Sequence, residues 1–414
     1  MLSLTQGLST GLVTGLLGSS NIIDTAAKTV SLVGDSISDQ NSSSSDINKI
    51  FENVGWINVV RYKSRQRYGF TDALNFGNSG DTTAEMVARK ATFTFADINF
   101  TLGGTNDIAG QVAPATTQAN LQELYDYQLD TLGAERVFAL TIPPRSEWGA
   151  FDAGEIAQGK ADIAATNTWI KSNSDVTTID IHSVLSDGSG DPLPDVLVDG
   201  VHLSPYGAEL VGDLILSTLD TLYGRNTEEL DLTGNVYLNG DMTGTGGISD
   251  GGMTGDVATS WQVLSVGAET DTSWRTLSKD ADDNQVIEIN VPQGNGTVGL
   301  IFTQRRDAPS SWDTSKTYKA QIEVDVQSVT GVVDELNFEM REEQSALGNI
   351  RYIDMDDRGG DVVPAYGEGV MEAPIINPQS DSSRMRVRFF VQGDTTNGAI
   401  SARVVLKKMR MIEI

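Results

Sequence analysis

Between residues 29 and 224, short apolar runs closed by turn residues alternate with stretches of helical spacing through five cycles. Val30, Leu32 and Val33 form the first run, which stops at Gly34-Asp35-Ser36. Residues 72–76, 98–102, 136–142 and 176–181 read as the next four strands, the one at 136–142 ended by Pro143-Pro144. Asp46 is placed to cap a helix carrying Ile47, Ile50, Phe51, Val54 and Ile57, and Thr82 and Glu85 have capping-box spacing. Residues 116–132 put Leu121, Leu124, Tyr125, Leu129 and Leu132 on one side, and residues 155–172 are helical in pattern. Ser204-Pro205 opens a helix to about Tyr223, with Leu210, Leu214, Ile215, Leu219 and Leu222 on its buried side. Strands alternating with helices call for a parallel sheet covered on both faces. Residues 29–224 are therefore predicted to form one three-layer α/β domain.

The pattern then changes. Residues 231–256 are glycine-rich, with Met-Thr-Gly at 242–244 and again at 253–255. From Trp261 onward the alternation is of β type, at 286–291, 321–326, 385–391 and 402–406, with turns such as Gln293-Gly294-Asn295-Gly296 between. The division expected is an extension at 1–28, the α/β domain at 29–224, a glycine-rich linker with first β elements at 225–260, and an all-β sandwich of jelly-roll type at 261–414.

The 57 acidic and 29 basic residues leave a net charge of −28, which argues against a phosphate-backbone partner. On that balance the basic cluster Arg61, Lys63, Arg65 and Arg67 reads as a solvated face. The chain has no cysteine, which excludes disulfides and thiolate chemistry. Residues 1–28 lack the positive start and unbroken apolar core of a signal peptide, and no stretch reaches the roughly 18–20 apolar residues of a membrane span. The segment is read as an extension that docks on another protein or subunit, with a cleavable leader as the alternative.

Ligand chemistry in open α/β sheets gathers beyond the carboxyl ends of the strands, which is where Ser36 falls. A serine nucleophile needs a base, a group that orients the base, and donors for the oxyanion. The chain has two histidines, so an imidazole base would be His182 or His202. His182, in Asp180-Ile181-His182-Ser183, reads as a histidine satisfied at a strand end. His202 follows Asp199-Gly200-Val201, a spacing that can fold a carboxylate onto one ring nitrogen and leave the other free. Gly80, in a turn after the second strand, and Asn106, after the third, could supply an N–H and an amide.

In four ordered blocks this region resembles the GDSL, or SGNH, hydrolase family: Gly34-Asp35-Ser36, Asn75-Phe76-Gly77-Asn78-Ser79-Gly80-Asp81-Thr82, Gly104-Thr105-Asn106-Asp107, and Asp199-Gly200-Val201-His202. Ile37 stands where the family name has leucine. The resemblance implies a flavodoxin-like three-layer fold with Ser36 as nucleophile and His202 and Asp199 completing the triad. The oxyanion would be held by the Ser36 and Gly80 N–H groups and the Asn106 amide, Gly77 being the less favoured alignment for the glycine. The implied reaction is ester hydrolysis, with no metal or cofactor required for catalysis.

The family's roles include lipase, thioesterase, arylesterase and carbohydrate deacetylase. The appended sandwich favours a glycan, with Trp274, Trp312, Tyr352 and Tyr366 as candidate platforms, although packing is the commoner use of any one of them. Residues 239–247 and 255–261 resemble modules found beside such hydrolases in tail proteins of bacteriophages. The expected substrate is an acylated polysaccharide or a small ester, the expected location extracellular or virion-associated, and other tail proteins and a homotrimer are implied partners; nucleic acid and a membrane span are not. The alternatives are a structural or receptor-binding tail protein with an accessory esterase domain, and a secreted environmental lipase or arylesterase. Two acidic clusters, at 280–284 and 354–357, could hold calcium in the sandwich, although solvated turns are the commoner use of such clusters.

Overall fold

The computed structural model describes residues 27–42, 55–94, 96–249, 253–267, 274–307, 311–344, 348–354 and 365–414. The first part holds a parallel sheet of β1 (Lys28–Gly34), β2 (Tyr68–Gly69), β3 (Asn75–Gly77), β4 (Ile98–Leu102), β5 (Arg136–Leu140) and β6 (Thr177–Ile179). One side of β1 pairs with β4; the other pairs first with β2 and then with β3. Residues 68–77 thus act as one strand broken by a 3₁₀ turn at Asp72–Leu74, which displaces the strand predicted at 72–76. Burial explains the shift: Tyr68 and Phe70 are enclosed, whereas Asp72 and Ala73 are exposed. With β2 and β3 counted as one, the order reverses direction between β1 and β4, the topological switch point at which such sheets open a crevice.

Among the described residues eight α-helices accompany the sheet: α1 (Ser36–Asp39), α2 (Trp56–Lys63), α3 (Thr83–Arg89), α4 (Thr105–Ala109), α5 (Pro114–Asp126), α6 (Ala153–Ser172), α7 (Ile181–Leu185) and α8 (Pro205–Tyr223). Alternation along β1 sets the two layers. Val30 and Leu32 meet Trp56, Val60, Val211 and Ile215 of α2 and α8, whereas Val33 meets Met86, Leu121 and Leu124 of α3 and α5. The Thr82–Glu85 capping box and the Ser204 cap form as the sequence predicts. Asp46 lies outside the described residues. No helix among those described is long and apolar enough to cross a membrane.

The second part consists of strands β7 (Gly246–Ser249), β8 (Thr254–Gly255), β9 (Val257–Val266), β10 (Arg275–Lys279), β11 (Gln285–Val291), β12 (Thr297–Asp307), β13 (Tyr318–Thr330), β14 (Val333–Gln344), β15 (Gly348–Asp354), β16 (Gly367–Ile376), β17 (Ser382–Asp394) and β18 (Ile400–Glu413). They form two six-stranded sheets ordered β16-β13-β18-β11-β10-β8 and β15-β14-β17-β12-β9-β7. From β11 on, the chain crosses between the sheets at almost every connection, so the two sheets are interleaved along the sequence. Inward residues of both sheets, among them Ile287, Val324 and Val404 facing Phe302, Phe338 and Phe389, share one core.

Two readings are corrected here. Trp312 and Tyr366 are buried in the sandwich core, and Trp274 packs against it, so these three are not exposed platforms; the Tyr352 side chain is not among those described. The Arg61–Arg67 cluster is not a solvated face either. Arg61 and Arg67 are buried, and Arg67 donates to the carbonyls of Tyr223 and Gly224 at the end of α8. Arg65 pairs with Glu323 at 2.7 Å, Gln66 donates to the carbonyl of Val370 at 2.5 Å, and Val59 and Tyr62 belong to the sandwich core. These residues run from α2 into β2, at the amino edge of the parallel sheet. The sandwich is therefore fixed at the edge opposite Ser36.

Candidate active site

Ser36 leaves β1 as the first residue of α1, and Asn106 leaves β4 as the second residue of α4. The two strands are the neighbours flanking the switch point. Asp35 caps α1, its carboxylate accepting from the Ile37 N–H at 3.1 Å.

His202 and Asp199 arrive on a tight hairpin before α8, with Leu197 bridged to Leu203 and the Val198 N–H donating to the His202 carbonyl. One Asp199 oxygen accepts from the backbone N–H groups of Val201 and His202, at 3.0 and 2.8 Å. The other lies 2.6 Å from His202 Nδ1, and His202 Nε2 lies 2.8 Å from Ser36 Oγ. Desolvation pushes the Asp199 carboxyl upward, but the hydrogen bonds from His202 and Val201 outweigh it and hold the group below its ordinary value. It therefore stays ionised, fixing Nδ1 as the protonated nitrogen and turning the Nε2 lone pair to the serine. His182 sits elsewhere: it falls in α7 rather than at a strand end, and its Nδ1 lies 2.9 Å from the Ile142 carbonyl.

Gly80 has φ +88°, and a Cβ built there meets nothing within 4 Å, so the turn needs glycine for its backbone rather than for room. Gly77, by contrast, lies in β3 with its Cα backed against the chain at Ser38 and Asp39. Gly104, ahead of α4, is held to glycine twice over: φ is +114° and a Cβ would fall 2.6 Å from Ile142 Cδ1.

The sequence reading passed over the residues that hold Asn106. Its Nδ2 donates to the Asp81 carbonyl at 2.9 Å, while the Asp81 carboxylate accepts from Arg89 Nε at 2.5 Å and from Asn78 Nδ2 at 2.5 Å. An amide nitrogen carries two hydrogens, so Asp81 orients the group and leaves a donor over. Arg145 was passed over as well. Its guanidinium donates to the carbonyls of Thr105 and Glu147, and the N–H groups of Ser146 and Glu147 donate to the Gly200 carbonyl. One loop thus braces α4 and the Asp199–His202 hairpin together. Asp81 stood inside a matched block and Arg145 beside the strand-ending prolines, but neither had a spacing that marks such a role.

The comparisons with known families and structures concern this same first part of the chain. The model of the GDSL-like Lipase/Acylhydrolase family matches residues 32–210, which span the parallel sheet and carry Ser36, Gly80, Asn106, Asp199 and His202. Similar solved structures include a GDSL-like lipase from Bacteroides thetaiotaomicron (16% identity, 47% of this chain and 89% of that one, TM-score 0.35). Others are a carbohydrate esterase family 3 protein from Talaromyces cellulolyticus (18%, 47% and 97%, 0.33) and a catalytic mutant of an acetylxylan esterase from Geobacillus stearothermophilus (15%, 50% and 98%, 0.35). No curated protein matches the chain.

For calcium, no group of three or more acidic or histidine side chains among the described residues could hold a metal ion. Asp280 instead closes a turn, accepting from the N–H groups of Asp282 and Asn284 and from the Asn284 amide. Residues 355–357 of the second acidic cluster lie outside the described residues.

Proposed function

We propose that the protein is a serine ester hydrolase that removes acyl groups, O-acetyl above all, from a polysaccharide. The observation that carries the reading is the chain from Ser36 Oγ to His202 Nε2 to Asp199, at 2.8 and 2.6 Å, standing at the switch point of the sheet. His202 takes the Ser36 proton as Oγ attacks the ester carbonyl. The Ser36 and Gly80 N–H groups and the Asn106 amide stabilise the oxyanion. Collapse expels the alcohol, which receives the proton from His202. Water, deprotonated by His202, then attacks the acyl-enzyme, and the acid departs as Ser36 recovers its proton.

The glycan reading is supported by the openness of the site. About a quarter of the His202 side chain and half of the Asp199 side chain are exposed, and the sandwich is fixed at the far edge of the sheet. An extended, bulky alcohol can reach such a site. The test is acetate release from acetylated bacterial polysaccharides, with Ser36→Ala as control. Release by the wild type and none by Ser36→Ala supports the reading. Undiminished release by the variant removes Ser36 from the reaction, and hydrolysis of aryl acetates with no release from any glycan removes the polysaccharide.

A further inference from the structure

A cavity of about 380 Å³ lies beside the candidate site, lined by Ala109, Gln111, Arg145, Trp148, Phe151 and Glu155 among others. Its position follows from contacts already described. Ala109 stands three residues after Asn106 in α4, so the two share one side of that helix a single turn apart. The far wall is the loop that begins at Arg145, which is bonded to the Thr105 carbonyl on one side and adjoins the segment bonded to Gly200 on the other. The cavity therefore lies one helical turn from Asn106 along α4, against the loop that is bonded to the Asp199–His202 hairpin.

We infer that this cavity is the subsite for the alcohol half of the ester, and that it seats a sugar ring of the acylated glycan. The inference rests on the hydrolase reading above and names its substrate contact. Size is the first argument. An acetyl group would leave most of 380 Å³ empty, whereas the volume falls within the range of small-molecule sites.

Lining is the second argument. A site for a long acyl chain would be apolar throughout. Here half-buried Phe151 and the largely buried Trp148 make an apolar wall, their rings 6.1 Å apart and tilted by 37°. Around it stand an amide, a carboxylate and a guanidinium. Gln111 Nε2 donates to Glu155 Oε1 at 3.1 Å, which leaves further donor and acceptor positions on both groups for hydroxyls. Arg145 lies over the Trp148 ring, 5.1 Å from its centroid, which steadies that wall. An apolar face ringed by hydrogen-bonding side chains matches a pyranose, which has one C–H face and a rim of hydroxyls.

The test compares two substrates of one acyl group: an acetylated oligosaccharide, such as acetylated xylo- or glucosamine oligomers, and a small aryl acetate. Kinetic constants are measured for wild type, Phe151→Ala and Gln111→Ala. The expected result is at least a tenfold fall in the ratio of kcat/KM for oligosaccharide to kcat/KM for aryl acetate, carried mainly by KM. A fall of both substrates in parallel, with the ratio unchanged, overturns the subsite while the deacetylase reading stands. A wild type that cleaves the aryl acetate but none of the oligosaccharides overturns both.

Discussion

The hydroxyl of Tyr62, on α2, donates to the carbonyl of Val324, on β13, at 2.9 Å, and lies 2.7 Å from the carbonyl of Gly367. Tyr62 is fully buried, its ring packed against Tyr366 at 6.0 Å, so a helix of the α/β domain completes the core of the sandwich. Tyr62→Phe keeps the packing and leaves the two carbonyls without this donor, at a cost of about 1–3 kcal/mol. Tyr62→Ala opens a cavity as well and costs about 3–5 kcal/mol. Urea denaturation of both variants measures this. Equal stability of Tyr62→Phe and wild type would show that the bond contributes nothing.

Beside it, Arg65 and Glu323 form an ion pair with side chains only 8% and 3% exposed. Removing one partner strands a buried charge, so Arg65→Ala is expected to cost about 3–5 kcal/mol. Replacing both at once, Arg65→Met with Glu323→Leu, should recover most of that loss, because two charges no longer need to be desolvated. A double-mutant cycle by chemical denaturation separates this from simple loss of packing: additive costs would refute the coupling.

Asn106 is aimed by the backbone carbonyl of Asp81, whose side-chain carboxylate Arg89 and Asn78 hold in turn. Asn106→Ala should lower kcat on an aryl ester by about 10²–10³ with a smaller change in KM, since an oxyanion donor acts mainly in the transition state. Steady-state kinetics decide it. A change in KM alone would assign Asn106 to ground-state binding.

What could be read from the chain before folding, and what could not, divides by distance along it. The strand at Val30–Val33, the Thr82–Glu85 box and the Ser204-Pro205 start are local patterns, and each forms as read. The meeting of His202 with Ser36 spans 166 residues; having only two histidines narrowed the base to His182 or His202, and the resemblance of the last block pointed to His202. The Arg61–Arg67 cluster was misread because its partners, Glu323, Glu368 and Val370, lie far along the chain, and a charge count carries no record of them. Trp312 and Tyr366 were offered as platforms for a similar reason: β alternation tells which residues share a face, but not which aromatics beyond the strand ends fold back into the core.

Asp35 gives the last prediction. It is fully buried, and desolvation pushes its carboxyl up to about 7, against the Ile37 N–H bond and the nearby His202, with Asp107 adding to the rise. The unfolded chain holds the same group near 3.8. Between those values the native state keeps a proton that the unfolded state has lost, so stability is fullest below about pH 4. It falls as pH rises, and levels off above about pH 7. At about 1.4 kcal/mol per pH unit the total is on the order of 4 kcal/mol. Other carboxyls, Asp97 and Asp199 among them, are held low and slope the opposite way. The comparison that isolates Asp35 is therefore with Asp35→Asn, whose amide oxygen can still cap α1. The difference in unfolding free energy, variant minus wild type, should rise by several kcal/mol from pH 4 to pH 8. A difference that stays flat across that range would mean that Asp35 is ionised in the folded protein throughout.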